Sequence, residues 1–231
     1  MTIDEYLNRL NEKSQQIFND SIKESSLFGK AHNTASHIYE FSELITDVNE
    51  RQMLLSVSSQ LEYSVLNLTL GLYRQSFFSL RLALEIGLGT VHFSIHKLEH
   101  QEWINGVADI KWATIIDEDN GILSKRFAKA FFPELDSYIS SERSKTIATY
   151  RALSEYVHGN KETWTKSGLV LEYDQELLKN FFDQYDIVGE VILFALSCRY
   201  LKSTKDFDLD SVDFLKVELN HIDPIRQLFT R

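Results

Sequence analysis

The chain has 231 residues, 43% of them apolar, only two prolines, and a formal charge of −10 from 34 acidic and 24 basic side chains. That length can bury a sizeable core as one unit or one unit plus a helical extension. The acidic balance argues against broad, nonspecific nucleic-acid binding, which needs basic surface to release counterions, and the single cysteine, Cys198, excludes an internal disulfide framework.

Read from the start, Thr2 and Glu5 form a capping box, and Tyr6, Leu10, Ile17 and Phe18 recur at roughly helical spacing towards Ile22. No leading apolar stretch with a small-residue cleavage site follows Met1, so a cytoplasmic location is expected. Residues from about Ser25 to Asn33 read as a loop, and Ala35 to Val48 as a helix with Ile38, Phe41 and Ile45 on one face. Asn49 is expected to cap a helix running through Leu70. Gly71-Leu72-Tyr73 then turns the chain into a strongly apolar helix from Arg74 to about Leu98, packed on its predecessor as an antiparallel hairpin.

The longest apolar stretches, Leu66 to Phe93 and Ile187 to Leu201, are interrupted by Arg74, Arg81, Glu85 and Glu190, so no membrane span is expected. Within the first of these, Arg81 and Glu85 stand four residues apart on a helix apolar on nearly every side. Buried charges are costly to desolvate, so the pair reads first as an i,i+4 clamp and second as support for a cleft on a neighbouring helix. His92, His96 and His100 recur every fourth residue and would share one face of a continuous helix, a spacing open to metal ligation. No carboxylate or cysteine pattern completes a recognisable site, so packing is expected there, with no metal and no cofactor.

Gln101 to Asp136 reads as short helices and loops, including a helix from Lys125 to Phe132 before Pro133. The acidic run Asp117-Glu118-Asp119 fails as a calcium loop, because Ala128 stands where the bidentate glutamate would fall. Ser140 or Ser141 starts a helix that Gly159 ends. Asn160 to Tyr173 reads as a small hairpin or ordered loop, Asp174 caps a helix to about Leu201, Asp210 to Asn220 reads as a shorter amphipathic helix, and Pro224 opens a final turn. Cys198, in an apolar run, reads as an inert core thiol. The fold class expected from this alternation is an all-α bundle.

The segment Tyr150-Arg151-Ala152-Leu153-Ser154-Glu155-Tyr156-Val157-His158-Gly159 carries the clearest chemical signal. Arg151 and His158 are close to two helical turns apart and project from nearly the same face, with Ser154 between them and an adjacent apolar stripe of Tyr150, Leu153 and Val157. A C-terminal helix position favours protonated histidine, which suits a proton donor at neutral pH. The plainer alternative is capping by His158 and a helical pair between Arg151 and Glu155. Ser154 has no glycine-framed elbow, so a hydrolase triad is not expected.

An all-α chain with the Gly-Leu-Tyr-Arg-Gln turn, the Ser-Leu-Arg-Leu-Ala-Leu-Glu helix and Arg151 six intervening residues before His158 resembles the HEPN superfamily over about residues 49–160. The resemblance implies an up-and-down helical bundle of HEPN-like type with extra N- and C-terminal helices: residues 1–48 as an N-terminal helical extension and 49–231 as one HEPN-like unit. It implies a metal-independent endoribonuclease of a bacterial toxin or antiviral (abortive-infection) system. Arg151 and His158 would be catalytic, Ser154 would assist, and Arg81 and Glu85 would support. The implied partners are a second copy of the chain, RNA, and a protein partner of such a system. Because Asn160 stands two residues after His158, the resemblance does not extend to members controlled by nucleotidylation of a tyrosine there. The superfamily also contains noncatalytic members, so a helical interaction or scaffolding module is the alternative.

Overall fold

The computed structural model describes residues 1–158, 171–203 and 208–230, with the side chain of His158 outside the described set. All regular secondary structure among these residues is helical, with no strand. The first helix, α1 (Ile3–Ser21), starts on the expected capping box: the Thr2 hydroxyl accepts from the Glu5 N–H at 3.2 Å and the Glu5 carboxylate from the Thr2 N–H at 2.7 Å.

The next helix, α2 (Ser25–Glu43), replaces the expected loop over Ser25 to Asn33 and ends before Val48. Its polar first turns hold as helix because Ala31, Ala35, Ile38 and Phe41 are buried on one face and Phe28 meets Phe182 edge to face at 4.9 Å. Asp47, rather than Asn49, caps α3 (Val48–Thr69), its carboxylate accepting from the Asn49 and Glu50 N–H groups at 3.0 and 3.1 Å. Gly71, at φ +77°, then makes the turn that only a residue without a Cβ adopts cheaply, and the Leu72 N–H returns to the Asn67 carbonyl at 2.9 Å.

The helix that follows, α4 (Tyr73–Phe93), is central: it packs against α3, against α8 (Ile139–His158) and against α9 (Gln175–Tyr200). Phe77, Leu80, Ala83, Leu84, Leu88 and Val91 on it are fully buried. Gly87 lets α9 approach, since a Cβ there would stand 2.8 Å from an Ile192 side-chain carbon. The α9 start is the expected one, with the Asp174 carboxylate accepting from the Glu176 and Leu177 N–H groups at 3.0 Å each.

Short elements fill the rest: α5 (Lys97–Ile104), α6 (Trp112–Ile115), α7 (Lys125–Phe131), α10 (Leu215–Glu218) and α11 (Asp223–Leu228), the last with Pro224 in its first turn. The amphipathic helix expected over Asp210 to Asn220 is instead a 3₁₀ turn at Asp210–Val212 followed by α10. The tight turns let Val212, Leu215, Leu219 and Ile222 all point inward, and Phe214 stacks on His37 at 4.3 Å. One apolar cluster runs from Ala31 to Ile225 and joins α2, α3, α4, α8 and α9. No helix is long and apolar enough to cross a membrane among the described residues.

Two further expectations change. The helix expected to reach Leu98 stops at Phe93, so His92, His96 and His100 do not share one helix face. Ser94 closes the turn by donating to the Val91 carbonyl at 2.7 Å while accepting from Arg199 Nε at 2.8 Å. The hairpin or loop expected over Asn160 to Tyr173 lies outside the described residues up to 170, as does the Gly159 cap.

Candidate functional site

Helix α8 buries a stripe of Ile139, Glu142, Thr146, Thr149, Leu153 and Tyr156, half of it polar. This corrects the expected apolar stripe of Tyr150, Leu153 and Val157: Leu153 is buried, but Tyr150 and Val157 sit at the edge, half-exposed. The register follows from packing between two helices. Tyr156 faces α4, stacked on Phe77 at 3.8 Å, and its hydroxyl accepts from Asn180 of α9 at 2.6 Å.

The edge of α8 holds the residues that the sequence nominates. Tyr150 stacks face to face on Trp112 at 3.7 Å. Its hydroxyl accepts from Arg81 Nη2 at 2.7 Å, and the Arg81 guanidinium lies 4.7 Å from the ring centroid. Arg81 also grips Glu85 on its own helix, Nε at 3.2 Å and Nη2 at 3.0 Å to Oε1. The pair is thus both the expected clamp and a link across to α8. Burial, reinforced by Glu85, lifts the Tyr150 phenol above its usual range, so it stays a neutral acceptor. About two turns earlier on α4, Arg74 donates to the Val157 carbonyl at 2.9 Å, placing a cation at the negative end of α8.

Arg151 is exposed and has no hydrogen-bond or ion-pair partner among the described residues, so the weighed helical pair with Glu155 does not form. Ser154 donates its proton to the Tyr150 carbonyl at 2.6 Å, which leaves its hydroxyl only as an acceptor. His158 closes the last turn of α8, and its side chain lies outside the described residues. The structure therefore joins Arg81, Glu85 and α8 through Tyr150 and places Arg151 and Ser154 on the same helix; Tyr150 and Trp112 are members that spacing alone did not nominate.

Two other polar clusters went unread in the sequence because their members come from distant segments. Glu142 on α8 and Glu190 on α9 both accept from Lys145, at 2.9 and 2.6 Å, and His221 adds a contact to Glu190 at 2.9 Å. Burial pushes the Glu142 carboxyl above its ordinary value against the pull of Lys145. Across the molecule, a cavity of about 510 Å³ is lined by Asp47, Glu50, Lys97, Arg199 and Tyr200. There the buried Glu50 accepts from Tyr200 Oη at 2.6 Å and from Lys97, and burial drives the Tyr200 phenol far above its usual value. Cys198 is fully buried in an apolar setting that pushes its thiol up to about 12, as an inert core thiol should be. No protein-family model, curated protein or solved structure matches the chain.

Proposed function

We propose that the protein is a HEPN-like, metal-independent endoribonuclease acting in the cytoplasm as part of a bacterial toxin or antiviral system, with Arg151 and His158 as its working pair. The observation that carries this reading is Arg151: a permanently charged, exposed guanidinium without a carboxylate partner among the described residues, on the helix whose final turn ends in a histidine. In a chain of charge −10, Lys23, Lys30, Lys216 and Arg226 lie against close carboxylates, and Arg151 does not. An open guanidinium, seven residues before a histidine on the same helix, suits a phosphate.

In this reaction the RNA 2′-hydroxyl attacks the adjacent phosphorus, the bond to the 5′-oxygen breaks, and the products are a cyclic phosphate and a free 5′-hydroxyl. His158 moves the proton between the two oxygens, and Arg151 stabilises charge on the phosphate oxygens. Arg81, through Tyr150, holds the helix edge in place. Because an arginine leans towards its helix N-terminus, two copies meeting across a two-fold seam unite the pair better than one copy does. A homodimer is therefore part of the proposal, and a monomer in sedimentation at micromolar concentration counts against it.

The direct test incubates total RNA with wild type and with His158→Ala in the presence of chelator. Cleavage leaving cyclic-phosphate ends, reduced about 100-fold or more by the substitution, is expected. Equal cleavage by both proteins refutes the assignment. A folded dimer with no cleavage under any condition would favour the noncatalytic interaction module, which the acidic surface also suits.

A further inference from the structure

The turn that ends α4 early brings together groups that a continuous helix would have held apart. His92, in the last turn of α4, is buried, and its Nε2 lies 3.0 Å from Glu99 Oε2 on α5. His96, at the start of α5, directs Nδ1 to the other oxygen of the same carboxylate at 3.7 Å, too far for a hydrogen bond. The two imidazole rings stack at 4.2 Å, and one ligand atom from each of the three residues falls within 4.8 Å of the others. The carboxylate absent from the histidine spacing is thus Glu99, inside the repeat rather than beyond it.

We propose that His92, His96 and Glu99 form a binding site for a divalent transition-metal ion of the zinc class, which ties the end of α4 to the start of α5. Ligand atoms around tetrahedral zinc stand about 3.3 Å apart, given bonds of about 2.0–2.1 Å. The observed separations, 3.0 Å to one oxygen of Glu99 and 3.7 Å to the other, lie on either side of that value. Two imidazole nitrogens and one carboxylate select zinc, cobalt or nickel over magnesium or calcium, which prefer all-oxygen shells. On binding, the metal replaces the Nε2 proton between His92 and Glu99, and the neutral ring carries its proton on Nδ1. His96 and Glu99 are part-exposed, which gives the ion a path in from solvent.

The second three-ligand group, Glu142, Glu190 and His221, makes the contrast. There the Lys145 ammonium already lies against both carboxylates and takes the position a metal would need. Among the described residues no lysine or arginine bonds to Glu99: Lys111 acts on it only through its field, and the bonds of Lys97 go to Asp47 and Glu50.

The test is calorimetric titration of zinc chloride into chelator-stripped wild type, His96→Ala, Glu99→Gln and the control His221→Ala, with folding of each checked by circular dichroism. Wild type and His221→Ala should bind one equivalent and melt at higher temperature with zinc. His96→Ala and Glu99→Gln, both at part-exposed positions that leave the core intact, should bind at least about 10-fold more weakly. Magnesium should not compete. The proposal is overturned if wild type shows no saturable zinc binding, or if His96→Ala and Glu99→Gln bind as wild type does. RNA cleavage has no part in this readout, so the site stands or falls apart from the ribonuclease reading.

Discussion

Glu142 and Arg151 share helix α8, and the fold treats their charges in opposite ways. Glu142 is pressed into the interface with α9, and Lys145, one turn on, neutralises it together with Glu190. Arg151 stands at the exposed edge, while the neighbouring Tyr150 is held by Arg81 and Trp112. A buried charge must be matched within the fold, or its desolvation goes uncompensated. An exposed one left unmatched costs the fold nothing and remains free for a ligand. The first end of α8 therefore answers to stability, and the second, in the proposed reading, to function.

The strongest way to break that contrast is Arg151→Ala. If the unmatched charge serves the phosphate, RNA cleavage should fall about 100-fold while the melting temperature stays at the wild-type value. A drop in melting temperature with unchanged cleavage would move Arg151 to the structural side of the comparison.

Lys145→Met attacks the other end. Removing the ammonium leaves Glu142 buried with no counter-charge, and urea unfolding should show a loss of about 2 kcal/mol at neutral pH, below the full cost of breaking a buried pair because Lys145 is partly solvated. The pH dependence fixes the cause. Burial already raises the folded-state pKa of Glu142 above its ordinary 4.5, and the variant also loses the Lys145 hydrogen bond that opposes this rise. An acid whose folded pKa is raised favours folding least once it must ionise, so its contribution is greatest below 4.5 and declines as pH rises through the folded value. The deficit of Lys145→Met should therefore be small in acid, where Glu142 is protonated in both proteins, and grow towards neutrality. A deficit independent of pH would point to lost packing of the lysine stem instead.

The same contrast explains what could be read from the sequence. Local signals carried their elements: the Thr2–Glu5 capping box starts α1, Gly71 turns α3 into α4, and Asp174 caps α9. The i,i+4 pair Arg81–Glu85 was equally visible, because both partners lie on one helix. What failed depended on distant partners. The end of α4 at Phe93 is closed partly by Arg199 bonding Ser94, while apolar periodicity continues through Ile95 and Leu98. Periodicity favours apolar residues and so points to Tyr150, Leu153 and Val157, whereas the interface buries Leu153 with Glu142, Thr146 and Thr149, Glu142 being met by Lys145 and Thr146 by a backbone carbonyl. Glu99 stands seven residues after His92, about two turns away along a continuous helix, and only the break after Phe93 brings its carboxylate within 3.0 Å of that ring.

Tyr150→Phe probes the seam between the two ends. It deletes the acceptor for Arg81 and keeps the ring stacked on Trp112, so the cost is one hydrogen bond from a charged donor that Glu85 still holds, about 1 kcal/mol by urea unfolding. Cleavage should fall less than with Arg151→Ala, since Tyr150 positions the helix edge and does not touch the substrate. A loss as large as that of Arg151→Ala would place the hydroxyl in the reaction itself.

Ser154→Ala should have the smallest effect, and it separates sharing a helix edge from sharing a mechanism. Ser154 lies between Arg151 and His158 in the chain, but its proton is donated at 2.6 Å to the Tyr150 carbonyl, a bond that competes weakly with the helix and contributes little to it. Alanine is the better helix former, so stability should change by less than about 0.5 kcal/mol. Cleavage should stay within about two-fold of wild type, because the hydroxyl offers a phosphate no donor, and a phosphate oxygen gains nothing from another acceptor. A loss of cleavage with the melting temperature unchanged would mean that the serine proton leaves Tyr150 when RNA binds, and the reactive edge of α8 would then hold three working groups instead of two.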